Sequence, residues 1–314
     1  MWQQVVFPSS PEEAAAILSS SGGRARVLGG GTDLIPLHRD GRASEPILVD
    51  VTRIPGFCCI RQEGESLVLG GAVTHAQAAQ SPLLRRSAAV LSAACAAVGS
   101  PQIRNVATLS GNIVNAQPAA DGALALIALD AQAEIRSAQG CRCVPVADLY
   151  EGVGRSRVDS IRELICAIRI RALRTDRQEA SAVERLSMRR ALALPMVNVA
   201  VSLSVDNGRF SWIRSAVGPV AQTPFRPYAL ERQAAGAPVT DRTIAAFAHQ
   251  VSLEVHPRDS ALRGSAEYRS AMVEVLLRRA ITRAAKTALQ GGESLGNLED
   301  EPERRGCGVS NPRL

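Results

Sequence analysis

The spacing of apolar residues changes several times along the chain, and each change marks a different predicted element. Ser10 and Pro11 begin a predicted helix, because serine caps a first turn and proline is favoured at the first helical position. This helix ends at Gly22-Gly23. Two short apolar strands follow, over residues 25–28 and 47–51.

The next part of the chain predicts a longer helix and then a segment without regular structure. Pro82 begins the helix, its apolar positions recur at the helical period up to Val98, and Gly99 ends it. Residues 100–121 are rich in Gly, Asn, Ser and Pro, so we expect a long irregular segment. Such segments in compact domains are often functional. A buried helix is predicted over residues 124–129.

Strand-like alternation then takes over. Apolar residues alternate with less apolar ones over residues 164–170, which predicts a strand. Residues 171–184 are mostly charged or polar without a clear period, so we place a domain boundary near residue 176. Clean alternation returns over residues 197–205, and Asn207-Gly208 supplies the turn of a hairpin.

The last third of the chain is predicted to be mainly helical. Helices are expected over residues 241–254 and 267–289, and residues 291–314 are expected to be a disordered tail. With 314 residues, of which 46% are hydrophobic, the chain is long and apolar enough for two domains.

Composition argues against several classes of protein. The formal net charge is +6 and only 3% of residues are aromatic, so a basic stripe with stacking groups for nucleic acid is not expected. No apolar run approaches the ~18 residues of a membrane span, and no secretory signal is recognisable. Seven Cys without such a signal indicate free thiols in the cytoplasm, and neither Cys nor His has metal-site spacing.

Two loops carry the residues that point to chemistry. The first follows a predicted strand, and its three consecutive glycines let backbone N–H groups approach an anion. Its residues are Val27, Leu28, Gly29, Gly30, Gly31, Thr32, Asp33 and Leu34. The second loop combines small and hydroxyl residues, and it consists of Thr108, Leu109, Ser110, Gly111 and Asn112. Taken singly, the first is also compatible with a tight turn and the second with a polar surface loop.

The pair of loops is more informative than either loop. Together they suit a long ligand with a pyrophosphate in its middle, and Asp121 offers an acceptor for a sugar-like hydroxyl. Neither loop has the Rossmann or P-loop spacing, and no nucleophile elbow is found. A nucleotide-binding site without a nucleophile fits an enzyme whose cofactor does the chemistry.

These motifs resemble those of the FAD-binding subunit of molybdenum hydroxylases, the relatives of xanthine dehydrogenase and carbon monoxide dehydrogenase. The similarity extends over roughly residues 3–290, and bacterial xanthine dehydrogenase FAD subunits are the most similar. The motifs that carry it are residues 29–34, the run Pro101-Gln102-Ile103-Arg104-Asn105, residues 107–115, Pro118, Asp121, Arg189-Arg190, residues 197–201, Gly218, Thr223-Pro224 and Arg226.

The resemblance implies an α+β fold. A two-lobed FAD-binding domain of the vanillyl-alcohol oxidase type would occupy residues 1–175, with lobes of about 1–55 and 56–175. A C-terminal domain of antiparallel sheet plus helices would follow over residues 176–290.

The resemblance also implies a role for each candidate residue. Residues 27–34 would surround the pyrophosphate, residues 108–112 would form the second clamp, and Asp121 would bind FAD hydroxyls. Val98 and Ile165 would lie at the flavin, and Arg185 stands where relatives often have a Lys near it. FAD would be bound non-covalently, because neither loop contains a His or Cys. We expect no catalytic side chain and no metal ligand on this chain.

The implied function is electron transfer within a complex. FAD would take electrons from the [2Fe–2S] clusters of an iron–sulfur subunit and pass them to NAD or another acceptor. A molybdopterin-containing subunit would oxidise xanthine or a similar N-heterocycle, in a heterotrimer that can dimerise. The alternatives are a stand-alone flavin oxidase of the same fold, and the same subunit type in a carbon monoxide, aldehyde or aromatic hydroxylase.

Overall fold

The computed structural model describes residues 2–189 and 192–291 of the chain. The first lobe holds a parallel three-stranded sheet in the order β1-β3-β2. Its elements are β1 (Gln4–Val6), α1 (Pro11–Ser20), β2 (Ala25–Leu28), α2 (Leu34–Arg39) and β3 (Ile47–Asp50). The predicted cap is confirmed, because the Ser10 hydroxyl accepts a hydrogen bond from the backbone N–H of Glu13.

The second lobe is built on an antiparallel five-stranded sheet in the order β4-β5-β10-β6-β7, with its helices packed beside it. Its strands are β4 (Ile60–Glu63), β5 (Ser66–Gly70), β6 (Gln132–Ser137), β7 (Gly140–Pro145), β8 (Tyr150–Gly152), β9 (Arg155–Ser156) and β10 (Glu163–Arg171). Its α-helices are α3 (His75–Gln80), α4 (Pro82–Ser87), α5 (Ala89–Ala96), α6 (Pro101–Val106), α7 (Leu109–Val114) and α8 (Asp121–Ala128). The predicted strand over 164–170 and the buried helix over 124–129 are confirmed as β10 and α8.

The prediction of one helix from Pro82 to Val98 is wrong, because Ala88 breaks it into α4 and α5. Ala88 has φ −158° and ψ 49°, which is outside the helical region. The polar groups freed by the break have partners elsewhere: the Ser87 carbonyl accepts from the Leu173 N–H, and the Val90 N–H donates to the Ser181 hydroxyl. These distant contacts stabilise a break that the helical period does not reveal.

The prediction of an irregular segment over residues 100–121 is also wrong in part. The segment contains the short helices α6 and α7, each with a side-chain cap. The Ser100 hydroxyl accepts from the Ile103 N–H, and the Thr108 hydroxyl accepts from the Gly111 N–H. The Gly and Asn content of the segment hides these helices, because N-caps rather than helix-forming residues define them.

The C-terminal part is an antiparallel sheet in the order β11-β12-β13, with helices beside it. Its elements are β11 (Glu179–Leu186), β12 (Val197–Asp206), β13 (Arg209–Gly218), α9 (Tyr228–Ala234), α10 (Asp241–Glu254) and α11 (Ala266–Gly291). The predicted hairpin and both predicted helices are confirmed, and the turn residues Asn207 and Gly208 have φ values of 48° and 71°. The tail predicted over 291–314 lies outside the described residues, apart from Gly291 at the end of α11.

The C-terminal sheet is buried on both faces. On one face Val199, Val201 and Leu203 share a core with α10 and α11. On the other, Ala200 and Ala216 belong to the core of the second lobe, where α8 packs against β12 and β13. A third core lies under the sheet of the first lobe. Helix α8 is therefore held between the two parts of the chain, and its N-terminus lies at the candidate site.

Candidate cofactor site

The first loop connects β2 to α2 and presents backbone donors. The N–H groups of residues 30–33 donate no hydrogen bond to any other described residue. Of the three glycines, Gly31 is the one in the left-handed region, with φ 70°. A run of unpaired N–H groups in a turn suits an anion such as a phosphate.

The two predicted loops are in direct contact. A Cβ atom on Gly30 would lie 1.9 Å from the Val106 carbonyl oxygen, and one on Gly29 would lie 2.9 Å from the Thr108 hydroxyl oxygen. Gly30 therefore allows the backbone of one loop to approach the backbone of the other. The sequence suggested that glycine is needed here to leave space for an anion. The structure shows a second need, because any larger residue would collide with the Val106 backbone.

A side-chain hydrogen bond also joins the loops. The Asn115 amide nitrogen Nδ2 donates to Asp33 Oδ1 at 2.9 Å. Asp33 is near the end of the first loop and Asn115 follows α7. This bond is therefore a second connection between the two loops, in addition to the contacts of Gly29 and Gly30.

The second loop pairs with residues 73–75, which follow β5. The His75 N–H donates to the Ala107 carbonyl at 3.0 Å, and the Leu109 N–H donates to the Val73 carbonyl at 2.9 Å. Asn112 Oδ1 accepts from the Ala123 N–H at 3.2 Å, in the first turn of α8. The second loop is thus attached to both the sheet and α8, which makes its position rigid.

Ser110 is the residue of this loop whose side chain lacks a protein partner. It is 8% exposed, and its hydroxyl oxygen has no hydrogen bond to any described residue. A buried hydroxyl without a partner is costly unless a ligand or water satisfies it.

Asp121 and Arg185 lie together, at the junction of the second lobe and the C-terminal sheet. Asp121 is the first residue of α8 and is 7% exposed. Its carboxylate accepts from Asn198 Nδ2 at 2.6 Å and from Arg185 Nε at 3.3 Å. Burial raises the pKa of Asp121, and the Arg185 charge together with the Asn198 hydrogen bond opposes that rise. Arg185 also donates to the Ser187 hydroxyl and the Ala193 carbonyl.

Val98 and Ile165 are placed separately. Val98 is half-buried before Gly99, and its carbonyl accepts from Arg104 Nη1 at 2.8 Å. Ile165 is 4% exposed on β10, in the register of Ile135 on β6. Its carbonyl oxygen would be 2.3 Å from a Cβ on Gly71, so β10 closely approaches the backbone just before residues 73–75, which pair with the second loop.

Comparisons with known proteins agree over almost the whole described chain. The family model described as the FAD binding domain in molybdopterin dehydrogenase matches residues 2–171. The model of the CO dehydrogenase flavoprotein C-terminal domain matches residues 183–284. The xanthine dehydrogenase FAD-binding subunit of Escherichia coli O157:H7 is 33% identical over 267 residues, which cover 84% of this chain and 90% of that protein.

The chain belongs to the FAD-binding subunits of the molybdenum hydroxylases. Another member, the 6-hydroxypseudooxynicotine dehydrogenase complex subunit alpha of Paenarthrobacter nicotinovorans, is 29% identical over 92% of this chain and 97% of its own length. A solved structure of carbon monoxide dehydrogenase from Hydrogenophaga pseudoflava, which lacks the Mo-pyranopterin moiety of its cofactor, includes a similar chain. That chain superimposes with a TM-score of 0.84 at 28% identity, over 91% of this chain and 98% of its own. The predicted α+β flavoprotein fold is confirmed, and this FAD-binding subunit is an oxidoreductase subunit.

The residues of the site fit FAD on structural grounds. The unpaired N–H groups of residues 30–33 suit phosphate oxygens, and the unpartnered Ser110 hydroxyl lies in the second loop. Both loops are held by protein contacts that do not use these donors. A pyrophosphate between the loops would satisfy the donors that the protein leaves unpaired.

Three side chains of this FAD-binding subunit support the site in ways that the sequence did not predict. Asn115 and Asn198 belong to the predicted family motifs, but their hydrogen-bond partners, Asp33 and Asp121, lie on distant elements. His75 is 1% exposed beside the second loop, and its Nδ1 has no partner among the described residues. Burial is the main reason that the pKa of His75 falls to about 4. The Thr74 and Gln77 capping box around His75 is the one local signal that marked its position.

Within residues 2–189 and 192–291, no group of three or more His, Cys, Asp or Glu side chains is arranged to hold a metal ion. Among the same residues, no helix combines the length and apolarity that crossing a membrane requires.

Proposed function

We propose that this FAD-binding subunit carries electrons from an iron–sulfur subunit to a final acceptor. The observation that carries the proposal is the pair of loops fixed against each other, with unpaired donors on both. When bound, FAD supplies a redox group that exchanges one or two electrons at a time, and so connects iron–sulfur clusters to a two-electron acceptor. The side chains of this chain would bind and orient the cofactor.

The proposed contacts are those that the family resemblance implies, and the placement of the loop donors and of Asp121 supports part of them. The N–H groups of residues 30–33 and the Ser110 hydroxyl would bind the pyrophosphate. Asp121 would bind FAD hydroxyls and also hold Arg185 at the junction of the domains. Val98 and Ile165 would limit the flavin pocket. Neither loop contains a His or Cys, which supports non-covalent binding.

For the complex we propose oxidation of xanthine or a similar N-heterocycle, with NAD as acceptor. The relatives named for xanthine and 6-hydroxypseudooxynicotine support an N-heterocyclic substrate. The partners would be an iron–sulfur subunit and a molybdenum-cofactor subunit, in a heterotrimer that can dimerise. The substrate would bind on the molybdenum-cofactor subunit, so this chain contributes the acceptor side.

The test compares the purified subunit with the assembled complex. We expect the lone subunit to be yellow, to release all its flavin on acid precipitation, and to reduce an artificial dye with NADH. It should not oxidise xanthine, whereas the complex should. Xanthine oxidation by the lone chain would contradict the subunit assignment. NADH inactivity in both preparations would contradict NAD as acceptor.

A further inference from the structure

A basic groove lies on the C-terminal part, along α11 and beside Glu184 of β11. Its volume is about 720 Å³, and its cations are Arg278, Arg279, Arg283 and Lys286. All four side chains are exposed. Arg279, Arg283 and Lys286 follow one another at intervals of four and three residues, and Arg278 is next to Arg279, so the four lie along one side of the helix. We call this feature the α11 groove.

The charge of the α11 groove is mostly unbalanced. Arg283 Nη1 pairs with the Glu184 carboxylate at 2.9 Å, and Glu184 is the one acid among the described residues that line the groove. Arg278, Arg279 and Lys286 form no ion pair with any other described residue. Three positive charges on one side of a helix attract an anionic segment, because the fields of like charges that line one groove add together.

The chain itself carries an anionic segment that follows α11. Residues 293–303 contain five acidic and no basic residues: Glu293, Glu299, Asp300, Glu301 and Glu303. The acidic segment is close enough along the chain to reach the α11 groove. Helix α11 rises ~20 Å from Arg278 to Gly291 at about 1.5 Å per residue. The stretch from Gly291 to Glu299 reaches ~26 Å when it is extended.

We propose that the acidic segment, residues 293–303, binds the α11 groove of its own chain. Tethering is the reason to favour this occupant, because a segment joined a few residues away meets the groove at an effective concentration on the order of mM. An acidic segment of another protein would have to compete with it. The bound segment would shield the groove from other polyanions.

The sequence offers a sharp test, because Lys286 is its one lysine. A water-soluble carbodiimide joins an amine to a carboxylate in contact with it, as an amide with loss of one water. We would treat the full-length FAD-loaded protein at low salt and map the products by mass spectrometry. We expect Lys286 to be joined to Glu299, Asp300, Glu301 or Glu303 of the same chain.

Variants separate contact from chance reaction. Lys286→Arg keeps the charge but removes the amine, so these cross-links should disappear. Arg278→Gln with Arg279→Gln keeps the amine and should lower the yield roughly two- to tenfold, since exposed ion pairs are individually weak. About 1 M salt should lower the yield as well, because it shortens the screening length from ~10 Å to ~3 Å. FAD content checks that each variant is folded.

Three outcomes would overturn the proposal. One is Lys286 joined to Glu184 alone, which would leave the acidic segment without contact. The second is a set of cross-links between chains, which would make a second copy the occupant. The third is a yield that neither salt nor the Arg278 and Arg279 changes alter.

Discussion

The Asn115 side chain donates a hydrogen bond of 2.9 Å to the Asp33 carboxylate, across 82 residues of sequence. This bond holds the second loop against the first, so its loss should loosen the site before FAD binds. We expect Asn115→Ala to weaken FAD binding about two- to tenfold, which corresponds to a hydrogen bond of ~0.5–1.5 kcal/mol. Flavin fluorescence titration of the apoprotein measures this. Gln139→Ala, an exposed side chain in the turn between β6 and β7, is the control, and an equal effect there would contradict the role of Asn115.

Gly30 is the position with the least room in the site. Its added Cβ would lie 1.9 Å from the Val106 carbonyl oxygen. The clash involves backbone atoms of Val106 and Ala107, which cannot move aside as a flexible side chain could. Gly30→Ala should therefore separate the loops, abolish FAD binding and destabilise the protein by ~2 kcal/mol or more. Flavin content and thermal unfolding measure both effects. Gly22→Ala is the control for backbone strain alone, because no described atom lies within 4 Å of its added Cβ while its φ of 56° disfavours any L residue. It should cost about 1 kcal/mol of stability and keep full flavin. Full flavin in Gly30→Ala would show that the loops are not in contact.

Asp121 holds Arg185 and Asn198 at the junction of the two domains. Asp121→Ala would leave a guanidinium and an amide without their buried acceptor. We expect the apoprotein to lose about 3 kcal/mol of its free energy of unfolding, the size seen when one partner of a buried pair is removed. Asp121→Asn should restore part of it. Exposed Asp148→Ala is the control. Unchanged stability with weakened FAD binding would assign Asp121 to the ligand alone.

His75 makes stability depend on pH. Its pKa in the folded protein is about 4, whereas an unfolded His titrates at about 6.5. The unfolded chain therefore binds more protons between these values, and stability is full above pH 6.5 and is lost as pH falls towards 4. The loss should be about 2 kcal/mol at pH 5 relative to pH 7. Urea unfolding of wild type and His75→Asn at both pH values measures it. His256→Asn, on the surface, should keep the wild-type dependence.

Sequence patterns predicted this fold where the pattern is local. The period over residues 241–254 gives α10 with its bounds, and Asn207-Gly208 gives the hairpin, because both depend on neighbouring residues. The break at Ala88 depends on partners more than eighty residues away, so the helical period concealed it.

The candidate site shows the same division. The two loops were recognisable from their glycines and hydroxyl residues, because loops with free N–H groups that bind anions are rich in such residues. The close approach of Gly30 to Val106 could not be predicted from composition, because the packing of the lobes decides the distance between the two loops. Likewise, the alternation of apolar residues around Asn198 predicts a buried strand. It does not predict that the Asn198 side chain binds Asp121.

Helix α8 lies between the second lobe and the C-terminal sheet. The domain boundary placed near residue 176 in the sequence therefore does not separate two units that fold independently. Asn198 contacts the start of α8 and Ser202 donates to the Ala128 carbonyl at its end, so β12 lies along the whole helix. A protein shortened to residues 2–175 would expose the side of α8 that Ala200 and Ala216 cover. Calorimetry of the whole protein should accordingly give one cooperative transition, and the shortened form should expose apolar surface and aggregate.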